Sequence, residues 1–107
     1  MPMWLKKVHE LLNDSWNKKL TLSDLAKEAA VNPITISKHF HKYFSCTLGE
    51  YMRKLKIEKS LAIIKNSTSL TDVAYLCDFA DQSHFIRTFK QLTGFLPKEY
   101  KRLKNNL

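Results

Sequence analysis

The sequence predicts an all-α fold, and three observations carry that expectation. Apolar residues recur at i, i+3 or i+4, and i+7 along most of the chain, the period of a helix with one buried face. Period-two runs of β-branched residues, the mark of half-buried strands, are lacking. Gly occurs twice and Pro three times, so helix breakers are few and their positions are informative. A chain of 107 residues with 44% hydrophobic content suits one compact domain or two very small lobes, and is too apolar for a disordered segment.

The elements follow in order. Trp4, Leu5, Val8, Leu11 and Leu12 make one helical face, with Lys6, Lys7, Glu10 and Asn13 off it; this helix ends in the polar cluster 13–17. Thr21 is the expected cap of a second helix that buries Leu22, Leu25, Ala26 and Ala29. Small Ala26 would let another helix approach closely. Ala30-Val31-Asn32-Pro33 is a turn, with Asn32 as N-cap and Pro33 at the favoured first helical position. A third helix then presents Ile36, Phe40, Tyr43 and Phe44 to a core. Opposite them stand Ile34, Thr35, Lys38, His41 and Lys42, with Ser37 at the flank.

From about Leu48 to Lys65 runs one long helix, about 27 Å at 1.5 Å per residue. It carries two apolar stripes: Tyr51, Met52, Leu55 and Ala62 on one, Ile57, Leu61 and Ile64 on the other. A helix apolar on two sides is buried between two things, so this one is expected to join and space two lobes. Asn66-Ser67-Thr68-Ser69 reads as a short polar linker. After it, 70–76 is a short helix and Cys77-Asp78-Phe79 a tight turn. Asp81 caps a further helix with the stripe Phe85, Phe89, Leu92. Its far side holds Ser83, Arg87 and Lys90, flanked by His84 and Gln91. Pro97 starts a last helix, which runs into a basic tail, KRLKNNL, expected to fray at its end.

A helix packed by one face and offering only hydrogen-bonding and cationic groups on the other suits the DNA major groove. The plainer alternative is a solvated surface. An internal repeat argues against it. Before the turns, residues match at an offset of 48: Leu22 with Leu70, Leu25 with Val73, Ala26 with Ala74, Val31 with Phe79. After them the offset is 49: Ile36 with Phe85, Lys38 with Arg87, Phe40 with Phe89, Glu50 with Glu99, Tyr51 with Tyr100. The extra residue falls near Ala80. Two copies of one helix-turn-helix unit, each with a cation at the same outward place, are hard to explain as surface decoration.

Composition agrees. The net charge is +8, from 18 Lys and Arg against 10 Asp and Glu, which favours a polyanion: nucleic acid first, anionic membrane second. No run of eighteen apolar residues is present, and the N-terminus lacks a signal-peptide layout. Cys46 and Cys77 lack CxxC spacing and read as reduced thiols of a cytoplasmic protein, Cys77 packing as a small hydrophobe. The four histidines form no HExxH or Cys/His cluster, and no GxSxG occurs. The expectation is therefore no metal or other cofactor, no membrane partner and no enzyme activity. A helical module that binds protein, such as a polymerase subunit, is the competing reading; the duplicated basic faces argue against it.

At these residues the sequence resembles the AraC/XylS family of bacterial transcription regulators. Ala74, Phe79, Asp81, Ser83, Phe85, Arg87, Phe89, Lys90, Gly94, Pro97 and Tyr100 follow the family signature in order. Leu25, Ala26, Ile36, Lys38, Phe40, Lys42, Gly49 and Tyr51 follow it in the first unit. The resemblance covers residues 4–102. It implies about seven helices in a single DNA-binding domain over 1–107: lobe one about 4–47, a bridging helix about 48–65, lobe two about 70–104. It also implies recognition helices at about 33–44 and 82–93, set in successive major-groove segments roughly one DNA turn, about 34 Å, apart. There are departures. The family often has Gly in both turns, where Ala30 and Asp78 stand here, and Ala tolerates positive φ poorly. Lys56 and Lys101 stand where Arg is usual, and Lys would weaken a bidentate role.

By matching positions, the resemblance places base contacts on Ile34, Ser37, Lys38, Ser83, His84 and Arg87. Arg87 can take guanine O6 and N7 together, and Ile34 suits a thymine methyl. Phosphate contacts are expected from Thr35, His41, Lys42, Gln82, Lys90 and Lys98, with Lys6 or Lys7 as further candidates, and from helix N-termini after Asn32, Asp81 and Leu96. The expected partners are double-stranded DNA and, as a further candidate, RNA polymerase. The domain itself is expected to be a monomer, and a full-length protein could dimerise through another domain. No effector domain is legible, and the start Met1-Pro2-Met3 fits either a small complete regulator or the C-terminal domain of a longer one. Relatives include a fused DNA-repair methyl acceptor whose reactive cysteines have metal-ligand spacing; nothing like that occurs here.

Overall fold

The computed structural model describes residues 2–66 and 69–105, which form seven helices and no strand. These are α1 (Met3–Asp14), α2 (Leu22–Ala29), α3 (Pro33–Phe44), α4 (Leu48–Asn66), α5 (Leu70–Leu76), α6 (Gln82–Thr93) and α7 (Pro97–Asn105). The chain divides inside α4 into two compact units, Met1–Met52 and Arg53–Leu107. The linker positions Ser67 and Thr68 and the last two residues of the tail lie outside the described residues. The described part of the tail continues α7 as helix to Asn105.

Helix starts obey their capping signals. Thr21 and Asp24 form a reciprocal box at α2: Asp24 N donates to Thr21 Oγ1 (3.1 Å) and Thr21 N to Asp24 Oδ2 (3.0 Å). The Thr21 backbone N–H, and after it the Thr21 side chain, hold the Asp24 carboxyl below its ordinary pKa. Thr47 and Glu50 repeat the box at α4. Asn32 Oδ1 accepts from Ile34 N at α3 (2.9 Å), and Asp81 Oδ1 from His84 N at α6 (2.7 Å).

In the first unit α1, α2 and α3 pack on one another. Leu5, Val8 and Leu12 of α1, Leu25 and Ala26 of α2, and Ile36 and Phe40 of α3 form the buried core. Phe40 meets Phe44 at 4.5 Å and Tyr51 edge-on at 5.3 Å between ring centroids, and Asn13 Nδ2 donates to the Tyr51 hydroxyl (3.2 Å). Tyr43, expected in this core, is instead 43% exposed. Ile36, Phe40 and Phe44, four apart, fill the core arc; Tyr43 falls at its edge, stacked on His39.

In the second unit α6 packs on α5 and on α7. Phe85 and Phe89 are fully buried, and Tyr100 meets Phe89 edge-on at 5.8 Å, as Tyr51 meets Phe40. Two expectations fail here. Leu92 is 43% exposed because it lines an open groove with Ile57 and Leu61 of α4; Thr88 is the residue buried beside Phe85 and Phe89. Ala62 is exposed because α4 is covered here along Ile57, Ser60 and Ile64, and Ala62 lies about 140° round from Ile57. Ser60, polar yet wholly buried, donates its hydroxyl to Ile57 O (2.6 Å), so its burial leaves no unmet donor.

Candidate nucleic-acid interface

Each unit holds one helix-turn-helix, and the two turns share their backbone conformation. Ala30 stands at φ 55°, ψ 43°, and Asp78 at φ 61°. One residue later, Val31 N donates to Ala26 O (3.1 Å) and Phe79 N to Ala74 O (2.9 Å). The first turn therefore does adopt the left-handed conformation on an alanine, and carries its strain. The repeat extends past the recognition helices: Ser45 (φ 58°) ends α3 where Gly94 (φ 83°) ends α6, again 49 apart. The strained Ser45 has no warning in its residue type.

Burial of Ile36 and Phe40 fixes the rotation of α3, and burial of Phe85 and Phe89 that of α6. The opposite faces are thereby turned to solvent. On α3, Ile34 (65% exposed), Ser37, Lys38, His41 and Lys42 are all exposed; Thr35 is half-buried. The Lys42 ammonium lies 5.7 Å over the Tyr43 ring. On α6, Gln82, Ser83, Arg87 and Lys90 are exposed. His84 is turned partly inward, edge-on to Phe79 at 5.3 Å, and its Nδ1 is buried with no hydrogen-bond partner among the described residues. Lys98 is exposed in the first turn of α7.

Two side chains that order the second face are not legible from spacing. Thr71 Oγ1 donates to Gln82 Oε1 (2.8 Å), which leaves the Gln82 amide N–H groups free to point outward. Lys56 Nζ reaches across 22 residues of sequence to Asp78, 3.0 Å from its carboxylate. Each partner carries a local signal of its own, a helix lysine and a turn aspartate, but only the fold pairs them. Cys46 and Cys77 are free and buried. Burial pushes the Cys77 thiol up to about 11, against the opposing pull of Lys56. Among the described residues no three His, Cys, Asp or Glu side chains are grouped to hold a metal ion, and no helix is long and apolar enough to cross a membrane.

The chain resembles a solved transcriptional regulator from Chromobacterium violaceum with an AraC-type DNA-binding domain, at a TM-score of 0.86 and 18% identity over 92% of this chain and 89% of that one. A family model described as a helix-turn-helix domain matches residues 25–103. The chain belongs to the AraC/XylS family. Within that family it is similar to AdaA of Bacillus subtilis, described as a bifunctional transcriptional activator and DNA repair enzyme, with 26% identity over 94% of this chain and 48% of that protein. It also shares the fold of the DNA-binding domain of AdpA, solved in complex with a target DNA, at a TM-score of 0.87 and 16% identity, over 95% of this chain and 93% of that one. The chain spans between about a third and a half of the length of the curated family members it matches first.

Proposed function

We propose that this chain binds double-stranded DNA sequence-specifically as a transcription regulator, with α3 and α6 inserted into successive major-groove segments. One observation carries the reading. Lys38 and Arg87, equivalent by the repeat, stand exposed on helices whose opposite faces are anchored by the equivalent pairs Ile36/Phe85 and Phe40/Phe89. A second, duplicated copy of a cationic outward helix is a reading device rather than a solvated surface. The AdpA domain, of the same fold, is described as bound to a target DNA, which supports the same role here.

On this reading Ile34, Ser37, Lys38, Ser83, His84 and Arg87 meet base edges. Thr35, His41, Lys42, Gln82, Lys90 and Lys98 grip phosphate and carry the salt dependence. His84 contributes through its outward ring edge only, since Nδ1 is buried. The domain works as a monomer in the bacterial cytoplasm, without a cofactor or a catalytic step, and RNA polymerase is the protein partner this role calls for.

Selection of bound duplexes from a random pool, with the affinity of the winner followed against salt, tests the proposal. The expected result is an asymmetric site with two half-elements about one helical turn apart. Weak, steeply salt-dependent binding with no enrichment refutes it.

A further inference from the structure

The turn between α5 and α6 is gripped from outside, and its counterpart between α2 and α3 has no carboxylate to grip. Asp78 stands in the left-handed region, where an L side chain crowds the following carbonyl. Lys56 of α4 donates to it at two points: Nζ lies 3.0 Å from Oδ2 and 3.1 Å from the backbone oxygen. The same ammonium sits 5.8 Å from the centroid of the Phe79 ring, the next residue of the turn. Only 16% of the Lys56 side chain and 19% of the Asp78 side chain are exposed, so water competes weakly with these contacts. Two bonds to one residue hold both its side chain and its peptide plane. Asp78 is also the residue whose dihedrals set the direction in which the chain leaves α5. Phe79 passes the constraint on, with its ring 5.3 Å from His84 and 5.2 Å from Phe85 in the first turn of α6. Ala30, the equivalent of Asp78, has only a methyl group, and among the described residues no charged side chain bonds to it.

We infer that Lys56 is a positioning residue for α6: it sets the angle at which Ser83 and Arg87 face the base pairs, acting through Asp78 and Phe79 and touching no base itself. The inference rests on the DNA-reading function proposed above. It separates the two helix-turn-helix units, because among the described residues only the second has its turn pinned by a charged group from another helix.

The test uses the selected duplex and two versions with one or the other half-element scrambled. Arg87→Ala identifies the half-element that α6 reads. Lys56→Met keeps the apolar stem and removes both donors. It is expected to lower discrimination at the α6 half-element about tenfold, a clear change on the affinity scale, and to leave discrimination at the α3 half-element intact. Lys56→Arg, whose guanidinium can reach both carboxylate and carbonyl, should restore most of the loss. Asp78→Asn keeps the backbone-oxygen bond and tolerates positive φ, so it should fold and show an intermediate loss even if Lys56→Met does not fold. A loss spread equally over both half-elements, or a lower melting temperature with unchanged discrimination, reduces Lys56 to a stability contact and overturns the inference. If the unmodified protein selects no sequence, the DNA-reading function fails and the role of Lys56 falls with it. If Arg87→Ala marks a half-element that both Lys56→Met and Asp78→Asn still read normally, the role of Lys56 alone is refuted.

Discussion

Replacing the two equivalent turn residues by glycine should change stability in opposite directions. Ala30 sits in the left-handed region, exposed, with no polar side-chain atom to lose. An L residue there costs about 1–2 kcal/mol, and glycine offsets part of the relief, about 0.4–1 kcal/mol, through the extra freedom of the unfolded chain. Ala30→Gly should therefore stabilise the first unit by about 0.5–1 kcal/mol. For a domain of this size that is a rise of about 3–6 °C in melting temperature. Asp78 has the same conformation but tolerates it better, so glycine relieves less strain there. Asp78→Gly also deletes the carboxylate bonded to Lys56, a charged hydrogen bond worth about 1.5–3 kcal/mol. The net effect should be a loss of about 1–2 kcal/mol. Trp4 and Trp16 both lie in the first unit, so tryptophan fluorescence during urea unfolding follows Ala30→Gly, while circular dichroism follows both variants. A lower midpoint for Ala30→Gly, or equal stabilisation by both substitutions, would show that the strain and clamp assignments are wrong.

Four further outcomes are expected. Arg87→Ala should cost about 1–3 kcal/mol at its preferred site and relax preference there, measured by competition between cognate and random duplexes; equal loss on both would assign Arg87 to phosphate. Lys42→Ala should weaken all sequences alike and reduce the slope of affinity against salt by about one unit, and a sequence-selective loss would contradict that role. Cys77 should resist alkylation at neutral pH until the second unit opens, because its thiol is buried and pushed up to about 11 from 9.0. A raised folded-state pKa contributes stability that is present below the unfolded value and lost as pH climbs through the folded one. Cys77→Ala should therefore flatten part of the stability loss between pH 9.0 and about 11, read by chemical denaturation. An unchanged profile would remove the thiol from that account.

Much of this protein is written locally. Helix starts were legible because caps act within three or four residues: Thr21, Asn32 and Asp81 each bond to a backbone N–H of the helix they precede. The outward faces of α3 and α6 were legible because a helical period and a few large apolar residues, Ile36, Phe40, Phe85 and Phe89, dictate rotation. The repeat was visible because the same packing problem is solved twice with the same residue types, and it survives in the turns, the aromatic pairs and the left-handed helix ends. Tertiary structure alone decided the rest. Tyr43 and Leu92 satisfy the apolar period yet stay exposed, since period gives direction and not whether anything lies opposite. Ser60, a polar residue, is buried because an i−3 carbonyl meets its only strong demand. The union of Lys56 with Asp78, and of Thr71 with Gln82, needs residues 22 and 11 apart in sequence to meet in space. No periodicity encodes such pairs, because their geometry exists only once the helices have packed.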